Sequence, residues 1–339
     1  MNLKKKGTMF GGVLLSVVLA LSACGTSDND NESSNSTIAG GITDRNVKVA
    51  FSAPGADHGW TAAITSMAKA EAAKHGDIDF QLQEGVNDSS TQVNQIETLI
   101  TQKPDVLVIL PNDGAALTPV AKKAMDAGIQ VVNVDRKFTD PAAARSTILG
   151  DNWGAGYQAG KYFAKELKCT GNVVEIQGLA GISVTEDRSK GFRDGIASCN
   201  GGIKIVASQP ADFSPDKGLS VMNNILQAQP NINAVFTHDD DMAQGVVQAI
   251  KNAKRENSMW VTGVGGSKAA FDQIKEGGLY KATFIYNPSM AASAVNLARL
   301  IGQGKGLSDL TIPAVPSEIV FQATPVTKDN VDQYYSLGF

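Results

Sequence analysis

Few side chains in this sequence have the chemistry to grip a small molecule, and most of them stand where short apolar runs end. Asp135 and Arg136 close and follow the run IQVVNVD. A carboxylate only accepts hydrogen bonds and a guanidinium only donates them, so the two in tandem suit a hydroxyl-rich ligand, whose every hydroxyl does both. Charged partners also make the stronger hydrogen bonds and can span two neighbouring hydroxyls. The less favoured alternative is a structural ion pair at the edge of a lobe. His58 and Trp60 lie in SAPGADHGW, Arg188 in ISVTEDRSKGF, Phe213 in SQPADF, Asp239 in THDDD and Tyr286 in IYNP. These stretches supply aromatics, carboxylates, arginines and amides, but little that looks like a catalytic engine.

Enzyme signatures are missing. GAGYQAG and GVGGS lack dinucleotide-binding spacing, and no P-loop, HExxH or CxxC sequence occurs. The histidines are His58, His75 and His238, and no serine sits in a GxSxG elbow. Asp and Glu are plentiful, and a glycosidase pair is defined by separation in space, which sequence leaves open. The expectation is a binding protein with no catalytic residue, no metal and no cofactor.

The elements that must position these residues alternate regularly. VKVAFSA (47–53), DFQLQ, DVLVIL and IQVVNVD (129–135) are short β-rich runs separated by WTAAITSMAKAEAAKHG, TQVNQIETLITQ and AALTPVAKKAMDAG, whose apolar residues recur three and four apart. Nearly continuous Val, Ile and Leu is the pattern of strands buried on both faces, hence of a parallel sheet clothed by helices. NVVEIQG (172–178), IKIVASQ (203–209), NAVFTHD (233–239) and WVTGVGG (260–266) repeat the scheme, with helices expected from about Glu186, Ser214 and Met242. The fold class is therefore α/β, with two doubly wound parallel-sheet lobes. ARSTILGDNW (144–153) shortens the rhythm as a crossover would, and GQGKGLSDLTIPAVPSE (302–318) could carry another crossing strand. In such sheets, ligands bind beyond the carboxyl ends of the strands, which is where the candidate residues fall.

Length and charge agree. The 339 residues exceed what one hydrophobic core usually serves. Net charge is −4, with 30 Lys and Arg against 34 Asp and Glu, and scattered lysines do not make the basic patch that nucleic acid requires. Lys4, Lys5 and Lys6 precede an uncharged run, Met9 to Leu21, too short to span a bilayer, which is an export signal. Leu-Ser-Ala-Cys resembles a lipoprotein signal, in which Cys24 is lipidated once residues 1–23 are removed. Residues 24–45 are polar slack and read as a flexible linker. Cys169 and Cys199 then remain in an oxidising compartment. Cys169 lies just before a strand and Cys199 at the end of the following helix, which returns the chain to that same sheet edge, so a disulfide is expected.

VDRK, GDN, IQGLAGISVTEDRSKGF, SQPADF, KGLSVMNNIL, NAVFTHDDDMAQGV and ATFIYNP together resemble the ribose and galactose branch of periplasmic-type sugar-binding proteins, over about residues 46–325. The resemblance implies a type I periplasmic-binding-protein fold, two lobes joined by three crossing segments. The lobes are expected to be 46–150 plus 287–312 and 151–286 plus 313–339. It implies a monomer that closes on a small neutral sugar or polyol and delivers it to an ABC importer permease. The protein would touch the membrane through its lipid anchor only, on the outer face of the cell membrane, the periplasmic side where an outer membrane exists. A sugar-sensing receptor partner is the alternative.

By resemblance Arg188 is directed at the ligand, Trp60 clamps one face of the sugar ring and Phe213 the other. His58 and Asp239 fall where ribose binders carry asparagine. Neutral His58 would bond a hydroxyl and Asp239 would accept from one, with helix capping left to Asp240 or Asp241. Two positions depart from the pattern: an aspartate is replaced by Gly265, and a polar residue near the last crossing by Tyr286. The ligand is therefore expected to differ from ribose.

Overall fold

The computed structural model describes residues 37–38, 42–43, 45–306 and 314–339. The export signal, Cys24, most of the linker and residues 307–313 of the 302–318 tail lie outside the described residues. A two-residue antiparallel pair, β1 (Thr37–Ile38) and β2 (Ile42–Thr43), precedes the main body. No described helix is long and apolar enough to cross a membrane.

The first sheet grows around β3 (Val47–Ala53), in which every residue but Lys48 is buried, and β5 (Val106–Ile109), buried throughout. Such strands have no solvent face, so helices must cover both sides. Its order is β13-β7-β6-β5-β3-β4, all parallel, with β4 at Ile78–Glu84, β6 at Gln130–Val134, β7 at Ser146–Gly150 and β13 at Glu318–Phe321. Helices α1 (Gly59–Ala72), α2 (Ser89–Thr101), α3 (Gly114–Asp126) and α9 (Met290–Gly302) clothe it.

The second sheet has the order β14-β12-β11-β10-β8-β9, parallel except for β14. Its strands are β8 (Gly171–Gln177), β9 (Ile203–Pro210), β10 (Ala234–Thr237), β11 (Trp260–Gly265), β12 (Tyr280–Ile285) and β14 (Pro325–Thr327). Its helices are α4 (Asn152–Glu166), α5 (Ser183–Ile196), α6 (Pro215–Ala228), α7 (Asp240–Asn252), α8 (Lys268–Glu276) and the short α10 (Val331–Tyr334). Helices α5 and α7 begin a few residues before the expected starts at Glu186 and Met242, which places Arg188 in the second turn of α5.

The chain passes between sheets after β7, after β12 and between β13 and β14. Backbone bonds hold these crossings together: Asp151 N–H to the Phe321 carbonyl (2.8 Å) and Ile285 N–H to the Thr324 carbonyl (2.9 Å). One expected boundary is wrong. β13 pairs with β7, so residues 318–321 belong to the first lobe, and the third crossing falls at 322–324 rather than near 313. The cause is that Glu318–Phe321 is a short, mostly exposed edge strand, whose brief apolar run Ile-Val-Phe does not say which sheet it joins.

Two features fix the second lobe. Cys169 and Cys199 are joined in a disulfide, with their Cα atoms 4.9 Å apart, so the turn before β8 is tied to the chain just beyond α5. Helices α4 and α5 meet backbone to backbone. A Cβ on Gly156 would lie 2.0 Å from the Arg188 carbonyl oxygen, and one on Gly191 2.0 Å from that of Trp153, so only glycine permits this approach.

Candidate functional site

The strand ends converge as the topology requires. His58 and Trp60 stand at the start of α1, after β3, and Asp135 and Arg136 follow β6. From the second lobe come Arg188 on α5, Phe213 after β9 and Asp239 between β10 and α7, while Tyr286 lies on the second crossing. All eight line one cleft, with Val184, Val264 and Gly265 completing the wall. The unfilled space among them is about 20 Å³, room for about one water, so the two walls are nearly in contact. Asp135 (φ 66°) and Phe213 (φ 60°) are held in the left-handed region, unusual for residues with a Cβ and the kind of local strain found where a side chain must be aimed.

A directed chain of hydrogen bonds crosses the cleft. Arg188 Nε donates to Asn152 Oδ1 (2.9 Å), Asn152 Nδ2 donates to the Tyr286 hydroxyl (3.1 Å), and that hydroxyl donates to Asp135 Oδ1. Burial, with the adjacent Asp135 charge, pushes the Tyr286 phenol well above its ordinary range, so it stays protonated and keeps its role as donor. Arg188 Nη1 donates to the His238 carbonyl, and its guanidinium lies 4.5 Å above the Tyr286 ring. Arg136 Nη1 donates to the Asn112 carbonyl (2.6 Å), while its buried Nε has no partner and stands 3.8 Å from Asp135 Oδ2. Buried donors are nearly always satisfied, so this Nε is an open donor on the cleft wall.

The aromatic wall differs from the expected two-sided clamp. The His58 ring stacks on Phe213 (centroids 5.8 Å, 21°) and on Trp60 (6.5 Å, 13°), entering the slot expected for the ligand. Trp60 is fixed by its indole N–H donating to the Tyr286 carbonyl (2.8 Å). His58 Nδ1 bonds Asp57 Oδ1 at 2.5 Å. Burial alone would lower the His58 pKa, but the Asp57 bond and the charges of Asp239, Asp57 and Asp241 outweigh it and raise the value.

The three adjacent aspartates have distinct roles. Asp239, not Asp240 or Asp241, caps α7: its Oδ1 accepts from the backbone N–H groups of Asp241 (2.8 Å) and Met242 (2.9 Å), while the residue also lines the cleft. Asp240 is a buried hub, accepting from the Tyr280 and Thr283 hydroxyls and from the backbone of Gly266 and Ser267. Asp241 reaches across the cleft, accepting from Gly59 N–H at 2.6 Å. Asn152, Asp241 and Asp57 were not identified from sequence.

Burial pushes the Asp239 carboxyl up to about 7, against the His58 charge, with Asp241 adding to the rise. A carboxyl raised on folding holds a proton that the unfolded chain has lost, so its contribution to stability declines as pH rises from about 4 towards 7. The raised His58 acts in the same direction near and above its usual range. We expect wild type to lose about 2 kcal/mol relative to Asp239→Asn between pH 4 and 8, since asparagine keeps the cap without titrating. Urea unfolding of both proteins across that range checks this, and parallel pH profiles would contradict it.

Among the described residues no group of three or more His, Cys, Asp or Glu is placed to hold a metal ion. Comparison with known proteins adds the family. Residues 49–306 match the model described as a periplasmic binding protein domain. The chain is 30% identical over 305 residues to the ribose import binding protein of Salmonella typhimurium, covering 90% of this chain and 95% of that one. It is 38% identical over 213 residues to the galactofuranose-binding protein of Escherichia coli K12, covering 60% and 66%. Among solved structures, a galactofuranose-binding protein superposes with a TM-score of 0.79 at 30% identity, covering 86% of this chain and all of that one. The two-lobed α/β architecture, the cleft at its strand ends and these matches place the chain in the periplasmic binding protein family, in the branch that holds the ribose and galactofuranose binders.

Proposed function

We propose that the protein is an extracytoplasmic solute-binding lipoprotein that captures a neutral monosaccharide or sugar alcohol between its lobes and delivers it to an ABC importer. The observation that carries this reading is the single cleft in which two carboxylates, two guanidinium groups and three aromatic rings converge from both lobes and a crossing. Asp135 and Asp239 face Arg136, Arg188 and His58 in the cleft, so a neutral polyol, whose hydroxyls both donate and accept, finds partners of both kinds without bringing a further charge into a buried site. The names of the relatives support the ligand class: ribose, galactofuranose and, in a Mycolicibacterium smegmatis protein 28% identical to this chain, xylitol. Each is an uncharged polyol. Ligand contacts from both lobes stabilise the closed state, and the protein releases its cargo unchanged.

A thermal-shift panel of pentoses, hexoses, polyols and amino acids tests the reading. Ligand at a hundredfold over its Kd is expected to add about 2.7 kcal/mol to stability. A response to a charged amino acid with none to carbohydrates would overturn the ligand class, and conversion of a glycoside in the same mixtures would overturn binding without turnover. Recovery of a Cys24→Ala protein in the soluble cell fraction supports the anchor, and its retention in the membrane argues against it. A receptor partner is favoured by one observation, a TM-score of 0.78 at 27% identity to the fructose-binding periplasmic domain of a hybrid two-component system. Adjacent permease and ATPase genes would decide for import, and an adjacent receptor kinase for sensing.

A further inference from the structure

Gly59 opens helix α1 in the first lobe, and Asp241 stands in the first turn of α7 in the second. The first N–H groups of a helix have no partner within it and form its positive end, so they call for an acceptor, best an anionic one. The first turn of α1 holds no acidic residue. Asp57, just before it, is spent on its neighbours: Oδ1 serves His58 Nδ1 and the Thr61 hydroxyl, and Oδ2 accepts from Asn87 Nδ2. The acceptor that Gly59 N–H does find is Asp241 Oδ2, on the opposite lobe, at 2.6 Å. A Cβ on Gly59 would lie 2.8 Å from that same oxygen, so the approach suits a bare glycine. Next to it in sequence, His58 lays its ring on Phe213, again one lobe against the other. A further bond between the lobes, Lys137 N–H to Ser183 Oγ, is long at 3.4 Å and correspondingly weak.

We propose that Asp241 caps helix α1 in trans and so latches the cleft: the protein visits its closed form without cargo, and a captured solute leaves slowly. The slow release rests on the reading of the cleft as a solute-capture site, whereas the latch itself is built from the protein's own atoms. When the lobes part, Gly59 N–H and the Asp241 carboxylate both return to water. The bond therefore belongs to the closed form alone, and its free energy adds to closure rather than to the folding of either lobe. A charged acceptor on a helix N-terminus, at a part-exposed rim, shifts such an equilibrium by about tenfold. A solute gripped by both lobes then meets protein that already samples the competent form, and escapes only after the latch has let go.

The test is double electron–electron resonance on the full chain without sugar. Spin labels go on cysteines placed at exposed Val86 and Asp216, one on each lobe, in a Cys24→Ala background whose remaining cysteines are disulfide-bonded. Otherwise unaltered protein is expected to show a short distance, matching the structure, beside a longer one. Asp241→Ala and Gly59→Pro are each expected to lower the ratio of short to long about tenfold. Proline removes the N–H yet suits the first helical position, and His58 before it is already extended (φ −153°, ψ 170°). Asp241→Asn, which keeps the shape and loses the charge, should lower the ratio about threefold, a charged bond being roughly twice as strong as a neutral one. The double variant Gly59→Pro with Asp241→Ala should match either single one, since both delete the same bond. Absence of the short distance before any latch substitution overturns the inference, as does an unchanged ratio in a folded single variant or a multiplied effect in the double one. Release is then timed by stopped-flow tryptophan fluorescence with whichever of D-ribose, D-galactose and xylitol binds most tightly, and koff is expected to rise about tenfold in Asp241→Ala. Unchanged release overturns the latch's part in capture. Silence from all three sugars counts against the carbohydrate reading and leaves the distances to decide on the latch.

Discussion

Replacing Arg188 with alanine is expected to raise the Kd for the cognate ligand at least about a hundredfold, close to 3 kcal/mol. The guanidinium is aimed before any ligand arrives: Nε is held by Asn152 Oδ1, Nη1 by the His238 carbonyl, and the Tyr286 ring supports it from one face. A charged donor so fixed loses little entropy on binding, and hydrogen bonds to charged groups are the stronger ones. Its removal also leaves Asn152 Oδ1 without its donor and the Asp135 and Asp239 carboxylates with one fewer balancing cation. Arg188→Lys keeps the charge but not the fork, and should recover only part of the affinity. Titration calorimetry on folded protein, verified by circular dichroism, measures both. Affinity within threefold of wild type in the alanine variant would mean that the ligand sits elsewhere.

The largest effect on stability is expected at Asp240, which stands behind the cleft wall rather than on it. One carboxylate oxygen accepts from the Tyr280 hydroxyl (2.6 Å) and the Thr283 hydroxyl (2.7 Å), and the other from the backbone N–H groups of Gly266 (2.7 Å) and Ser267 (2.8 Å). This one side chain therefore fastens the start of α7 to the end of β11 and the length of β12. Asp240 is 1% exposed, and burial pushes its carboxyl upward even against those four bonds. Asp240→Ala strands four buried donors, and a loss of about 4 kcal/mol is expected, with Tm lower by roughly 10 °C. Asp240→Asn, whose amide nitrogen cannot accept, should cost about half as much. Denaturant and thermal unfolding check both values, and an alanine variant within 1 kcal/mol of wild type would show that the hub relaxes around its loss.

The sequence exposes the architecture because parallel strands buried on both faces leave an unmistakable trace, as VKVAFSA and DVLVIL do. It fails at β13 for the same reason. EIVF is only four residues long, lies on an edge and leaves three of them exposed, so its brief apolar run does not reveal which lobe it belongs to. The site residues at strand ends were accessible through motif resemblance, and all eight line the cleft. What sequence could not assign was the division of labour among Asp239, Asp240 and Asp241. Three identical side chains at the mouth of a helix point in three directions, and only the backbone path decides which one caps, which one is swallowed and which one crosses. Asp241 meets Gly59 from 182 positions away, and Asn152 meets Arg188 from 36 away, with no local signal for either. The surroundings of His58 were likewise hidden, because beside burial and the adjacent Asp57 its pKa depends on Asp239 and Asp241, carboxylates contributed by the opposite lobe.

The glycine contacts between α4 and α5 bear on how this binding protein could be retargeted. A methyl group on Gly156 or Gly191 would wedge the helices apart and swing Arg188 off its aim, so that side of the binding surface is closed to gradual redesign. Diversification is channelled to the opposite shore and the crossings, where a side chain can be exchanged without dislodging its scaffold. Selection experiments for a new cargo should accordingly accumulate winners around His58, Trp60 and Tyr286 while the helix seam stays fixed.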